Sequence, residues 1–203
     1  MEETRRERKK RQTRELLVTT AFRLFDEQGY EQTTLAQITS AADVATKTFF
    51  NYFRSKDDVL FADVEQYYQA TVEVISERTP DEGVSDVLLK TYDRVIARFA
   101  EGPISGDPEL MEIYGRLVLT VPALQAKALL VQFDLQRRVA EALLTAFPDK
   151  LDPITAAAAV GSLFGAVQAA ELTSREMFGD SEEEYLKSAR RAIDVAMRGL
   201  RSL

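Results

Sequence analysis

Three observations predict an all-α protein. Apolar residues recur at helical spacing through most of the chain, with little strand character past residue 60. Helix-start signals recur with them: capping boxes at Thr34/Gln37, Ser55/Asp58 and Ser181/Glu184, and a capping aspartate before proline at Asp107-Pro108 and Asp152-Pro153. Gly, Pro and Asp collect at Pro80 to Gly83, Gly102 to Gly106, Pro148 to Asp152 and Gly179 to Ser181, which read as loops. Nine helices follow, over residues 4–28, 35–41, 46–52, 56–78, 84–101, 108–119, 122–146, 153–174 and 182–201.

The second and third of these form a helix-turn-helix pattern. The capping box starts one helix at Thr34, where Leu35, Ile38 and Ala42 share a face. The pattern breaks at Asp43, a residue that tolerates turn or left-handed backbone, and Val44 is the expected hinge. In the next helix Phe49 and Phe53 face the core, while Thr46, Lys47, Thr48, Asn51 and Tyr52 present polar groups on the other side. Ser55 with Asp58 predicts a further helix from Lys56, whose ammonium is placed for a DNA phosphate.

Charge is divided along the chain in a way that suits this reading. The overall charge is -7, yet residues 1–56 carry 11 Lys/Arg against 8 Asp/Glu. Arg5, Arg6, Arg8, Lys9, Lys10, Arg11 and Arg14 form a basic arm that suits groove or phosphate contact, or else a solvated helix start. With no histidine or cysteine, Ser-His-Asp and Cys-His catalysis, disulfides and the usual zinc sites are excluded. No acidic calcium loop or glycine-rich phosphate cradle occurs, so neither an enzyme, a metal site nor a cofactor is expected. Residues 1–15 hold no apolar core of a signal peptide, and a cytoplasmic location is expected.

Leu17, Ala21, Leu24, Phe25, Gly29, Tyr30, Thr33, Thr34, Ile38, Ala41, Val44, Thr48, Tyr52, Phe53, Ser55, Lys56 and Leu60 together resemble the amino-terminal domain of tetracycline-repressor-type (TetR family) regulators. The resemblance implies a nine-helix TetR-like fold with a DNA-binding domain at 1–55 and a helical effector-binding and dimerisation domain at 56–203. It implies a homodimeric repressor on an approximately palindromic double-stranded operator, released by a small apolar or amphipathic effector. TFFNYF and LTVPAL are also similar to a subgroup associated with acyl-CoA-like ligands. Three positions depart from the family pattern. Asp43 replaces the usual glycine and Ala45 the usual serine cap, while Phe50 replaces a tyrosine that commonly donates to a phosphate. Base contacts then fall to Thr46, Lys47, Thr48 and Asn51, and phosphate contacts to Thr34, Tyr52 and Lys56. Lys47 has the clearest chemistry, since lysine donates to guanine O6 and N7.

Two segments near the end suit a dimer interface. Residues 153–170 carry no charge and include Gly161, Phe164 and Gly165, a run too short and too interrupted for a membrane span. Leu186, Ala189, Ile193, Ala196 and Leu200 form a heptad seam, for a second subunit or for this chain's own core. Tyr92, Ile96, Phe99, Met111, Tyr114, Leu117, Phe133 and Phe164 either line an effector pocket or fill a solid core, and periodicity is the same for both. Arg116 and Glu171 are the charged candidates for a polar part of the ligand, against the commoner alternative of a snorkelling or ion-paired side chain. An effector-independent DNA-organising protein and a protein-interaction module are the alternative readings.

Overall fold

The computed structural model describes residues 4–200 except 63, 103 and 180, and of residues 182 and 200 the backbone alone. Among these residues the chain is helical and has no strand. The helices are α1 (Arg5–Gln28), α2 (Leu35–Ala41), α3 (Thr46–Phe50), α4 (Val64–Ser76), α5 (Val84–Ala100), α6 (Pro108–Thr120), α7 (Pro122–Ala146), α8 (Pro153–Phe178) and α9 (Glu182–Leu200), with a 3-10 turn at Asp57–Val59.

Local chemistry explains most of the boundaries. Thr4 and Thr34 each close a full capping box, with Glu7 and Gln37 respectively. The Asp107 carboxylate accepts from the amides of Glu109 and Leu110, and that of Asp152 from Ile154 and Thr155, with proline in the first turn of each helix. These bonds hold the Asp152 carboxyl below its ordinary range, the Thr155 hydroxyl contributing most.

The helix expected from Lys56 to residue 78 is not continuous. Ser55 and Asp58 do exchange their capping bonds, at 3.1 and 3.4 Å, but they close a 3-10 turn, and the α-helix begins only at Val64.

Two compact units result, one of Met1–Glu65 with Arg98–Val131 and the other of Gln66–Ala97 with Gln132–Leu203. The core of the first joins Leu17, Ala21, Phe22 and Phe25 of α1 to Ile38 of α2 and Phe49 of α3, and α6 completes it with Leu110, Ile113 and Leu117. Truncating a buried phenylalanine such as Phe22 costs about 3–5 kcal/mol. The second core packs Val87 and Leu88 of α5 with Val139 and Leu143 of α7, Ala156, Val160 and Leu163 of α8 and Met197 of α9. By length and composition α8 is apolar enough to cross a membrane, yet it buries one side in this core, and its last turns carry Glu171, Arg175 and Glu176.

Candidate nucleic-acid interface

The turn between α2 and α3 is built as its sequence predicts. Asp43 is the one non-glycine residue with positive φ (51°) among the described residues, and the Val44 amide donates back to Thr39 O at 3.0 Å. Val44 is half-buried against the first core. The cap that Ala45 lacks is not replaced among the described residues, and α3 starts without a side-chain cap bond. Thr46 Oγ1 lies 3.5 Å from Thr39 Oγ1 instead.

Fully buried Phe49 fixes the orientation of α3, with the Phe53 ring 5.4 Å away. Thr46, Lys47, Phe50 and Asn51 consequently stand exposed on the opposite side, with Thr48 and Tyr52 half-buried at its edges. Thr34 is exposed, and its hydroxyl donates to Gln37 Oε1 at 2.8 Å.

Lys56 holds the turn before α2. Its ammonium donates to Tyr30 O (2.7 Å) and Thr33 O (3.2 Å) and lies 4.1 Å from the Tyr30 ring centroid. The Tyr30 hydroxyl donates to Asp57, and burial, followed by that bond, pushes its pKa well up. Two of the three ammonium protons on Lys56 are thus committed within the chain.

The basic arm is not a separate strand of chain. Its residues form the first turns of α1, beginning from the Thr4 cap. Arg11 pairs with Glu15 at 3.0 Å, whereas Arg14 donates to Ala62 O and sits 5.8 Å from the Phe53 ring centroid. Arg5, Arg6, Arg8, Lys9 and Lys10 are all exposed.

A second ordering contact comes from far along the chain. Asp58 accepts from the amides of Arg54 and Ser55 and from the ammonium of Lys127 on α7. Burial alone raises the Asp58 pKa, but Lys127 and the two amides outweigh it and bring the carboxyl below its usual value. Nothing local in the sequence marks this pair.

The residues expected to line a pocket divide between the two units. Met111, Tyr114 and Leu117 pack against the first core, and Arg116 is exposed and paired with Asp26 of α1. Phe99 stands in the first unit with them, while Phe133 is exposed and Phe164 packs on the second core. Tyr92 and Ile96 do line a cleft of about 180 Å3, together with Asp93, Tyr185, Leu186, Ala189, Arg190 and Ile193. Tyr92 and Tyr185 bond each other through their hydroxyls; burial first, then neighbouring groups including Glu171, raises both pKa values. Both therefore stay neutral donors at physiological pH.

The α9 seam residues stand as follows. Ala189 is buried, Ile193 and Ala196 pack on the second core with Met197, and only Leu186 of the described seam residues is exposed. The side chain of Leu200 lies outside the described residues. On α8, a Cβ added at Gly161 or Gly165 would meet open space, and Ile154, Ala157, Ala158 and Leu172 are exposed on the same helix.

Residues 17–62 match the family model described as bacterial regulatory proteins, tetR family. The HTH-type transcriptional regulator TcmR of Streptomyces glaucescens is 30% identical over 187 residues, 91% of this chain and 82% of that protein. Among solved structures, the fatty acid degradation regulator FadR from Bacillus halodurans superposes with a TM-score of 0.58 at 20% identity, covering 93% of this chain and 96% of that one. SmeT, the repressor of the Stenotrophomonas maltophilia multidrug efflux pump SmeDEF, gives 0.53 at 20% identity, covering 92% and 89%. At such identities the structures show the shared fold, whereas the TcmR match over most of both chains shows kinship. The protein is a helix-turn-helix DNA-binding transcriptional regulator, not an enzyme, and it belongs to the tetR family of bacterial regulatory proteins.

Proposed function

We propose that the protein is a homodimeric repressor that sits on an approximately palindromic operator and leaves it when a small apolar or amphipathic effector binds. The observation that carries the DNA half is the exposed face of α3, where Thr46, Lys47 and Asn51 project from a helix fixed by buried Phe49. Two such helices about 34–36 Å apart enter successive major grooves. Residues 1–55 read DNA and residues 56–203 take the effector and the second subunit, with α6 packed on the DNA-reading core. Such a regulator works in the cytoplasm, where its operator is.

The open face of α8 supports dimerisation through Gly161 and Gly165, flanked by Ile154 and Leu172. The cleft between α5 and α9 supports the effector half. Its volume is about 180 Å3, and it is an open groove rather than an enclosed cavity, so it offers a ring-sized ligand one apolar wall with the Tyr92 and Tyr185 hydroxyls beside it. An acyl-CoA-like ligand would have to leave its nucleotide part outside a cleft of this size. SmeT, of the same fold, has been solved as a complex with triclosan, which favours a ligand of this scale.

Footprinting on DNA flanking its own gene tests the reading. A protected, roughly palindromic site is expected, with affinity far above that for random duplex. Equal affinity for both would favour a DNA-organising protein, and absence of DNA binding would favour an interaction module. Titration of the bound complex with substituted phenols tests release.

A further inference from the structure

We propose that Phe50 reads a thymine. This residue is 52% exposed, on the same face as Thr46 and Lys47, four and three residues before it. No other large apolar residue of α2 or α3 is exposed to that degree. The ring is held in place: it meets Phe49 edge-on, with centroids 5.8 Å apart and planes at 86°, and Phe49 itself is fully buried. An apolar group braced on a base-reading face gains nothing from phosphates or water. On the edges of base pairs in the major groove, the apolar feature is the C5-methyl of thymine, for which phenylalanine is a recognised partner. Lys47 donates to guanine acceptors, so the two side chains together select a half-site containing both bases. Three residues of helix rise about 4.5 Å, against about 3.4 Å per base step, which puts the thymine one or two base pairs from the guanine.

This rests on α3 being the helix that reads bases, and the test separates the two claims. The probe is a 30-base-pair duplex carrying the site that the full chain selects from a randomised pool. Each thymine of the half-site is replaced in turn by deoxyuridine, which removes only the methyl. For the wild-type protein one position should weaken binding about fourfold, the worth of one buried methyl-sized group. F50A should bind the parent site more weakly and lose the discrimination at that position, while F50L, which keeps apolar reach, should retain part of it. Circular dichroism confirms that each variant folds, and either one that does suffices. The proposal is overturned if no deoxyuridine substitution weakens wild-type binding, or if F50A discriminates as before. Tighter binding by F50Y with unchanged base preference would overturn it too, since the ring would then face a phosphate. Should the pool yield no preferred site, base reading by α3 fails as a whole.

Discussion

Lys127 donates its ammonium to the carboxylate of Asp58, 69 residues earlier in the chain, and so ties α7 to the turn that follows the recognition helix. The same ammonium lies 5.9 Å from the Phe61 ring centroid. A pair about a quarter exposed on each side is worth at most about 1 kcal/mol, so K127M should lower stability only slightly. Its larger effect is expected on coupling, with effector-induced release blunted while DNA affinity without effector stays near normal. The Asp58 pKa lies below its ordinary value of 3.8, so the folded state gains above that value and loses the gain as pH falls through the lowered one. Acid titration of the unfolding midpoint should show this loss below about pH 4 in the wild type, and a shallower slope in D58N.

Restoring a cap on α3 should stabilise the protein. A45S supplies the hydroxyl that α3 lacks at its N-cap, worth about 1 kcal/mol, and should raise Tm by about 2–4 °C. Thermal denaturation decides it; an unchanged Tm would mean that water already satisfies those amides.

Lys47 and Lys56 should behave differently although both are lysines of the DNA-reading unit. Lys56 holds two backbone carbonyls, so K56M leaves them without their donor and should cost about 1–3 kcal/mol of stability together with DNA affinity. Lys47 is exposed with no fold to support, and K47A should leave Tm within error while weakening specific binding by about 1–3 kcal/mol. Melting curves beside gel-shift titrations separate the two roles.

Leucine at both Gly161 and Gly165 should give a folded monomer. Each added side chain enters space that is open in the single chain, so the loss falls on close approach by a second helix. Sedimentation should show half the mass, with operator affinity falling accordingly. A persistent dimer would move the interface off α8.

Much of the fold was legible because helix starts are local chemistry. Thr34 with Gln37, Asp107 before Pro108 and Asp152 before Pro153 all cap as their spacing dictates. The start of α4 was not legible, because a Ser55/Asp58 box reads the same before a 3-10 turn as before an α-helix. Periodicity shows that a helix has an apolar face but not what covers it. Ile193 and Ala196 of α9 therefore suit a second subunit and this chain's own core alike by spacing, and only tertiary placement packs them, partly buried, on the latter. Partners such as Arg116 with Asp26, 90 residues apart, and Lys127 with Asp58 depend on tertiary placement that no local pattern encodes. On α3, polarity marks Thr46, Lys47 and Asn51 in the sequence, whereas two adjacent phenylalanines do not show which one is buried, and the fold gives the core to Phe49 and the surface to Phe50.

The capping box at Thr4 makes the basic segment of α1 a rod with fixed angular positions. A helix hands out successive side chains about 100° apart, so its cations cannot all turn toward one duplex. Arg5 and Lys9 share one bearing and Arg6 and Lys10 the next, so charge removal in this stretch should act by azimuth rather than by count. Because the rod is already ordered, docking it on phosphates spends little backbone entropy, and Gln12→Pro, which breaks the rod at an exposed neutral residue and removes no charge, should weaken DNA binding.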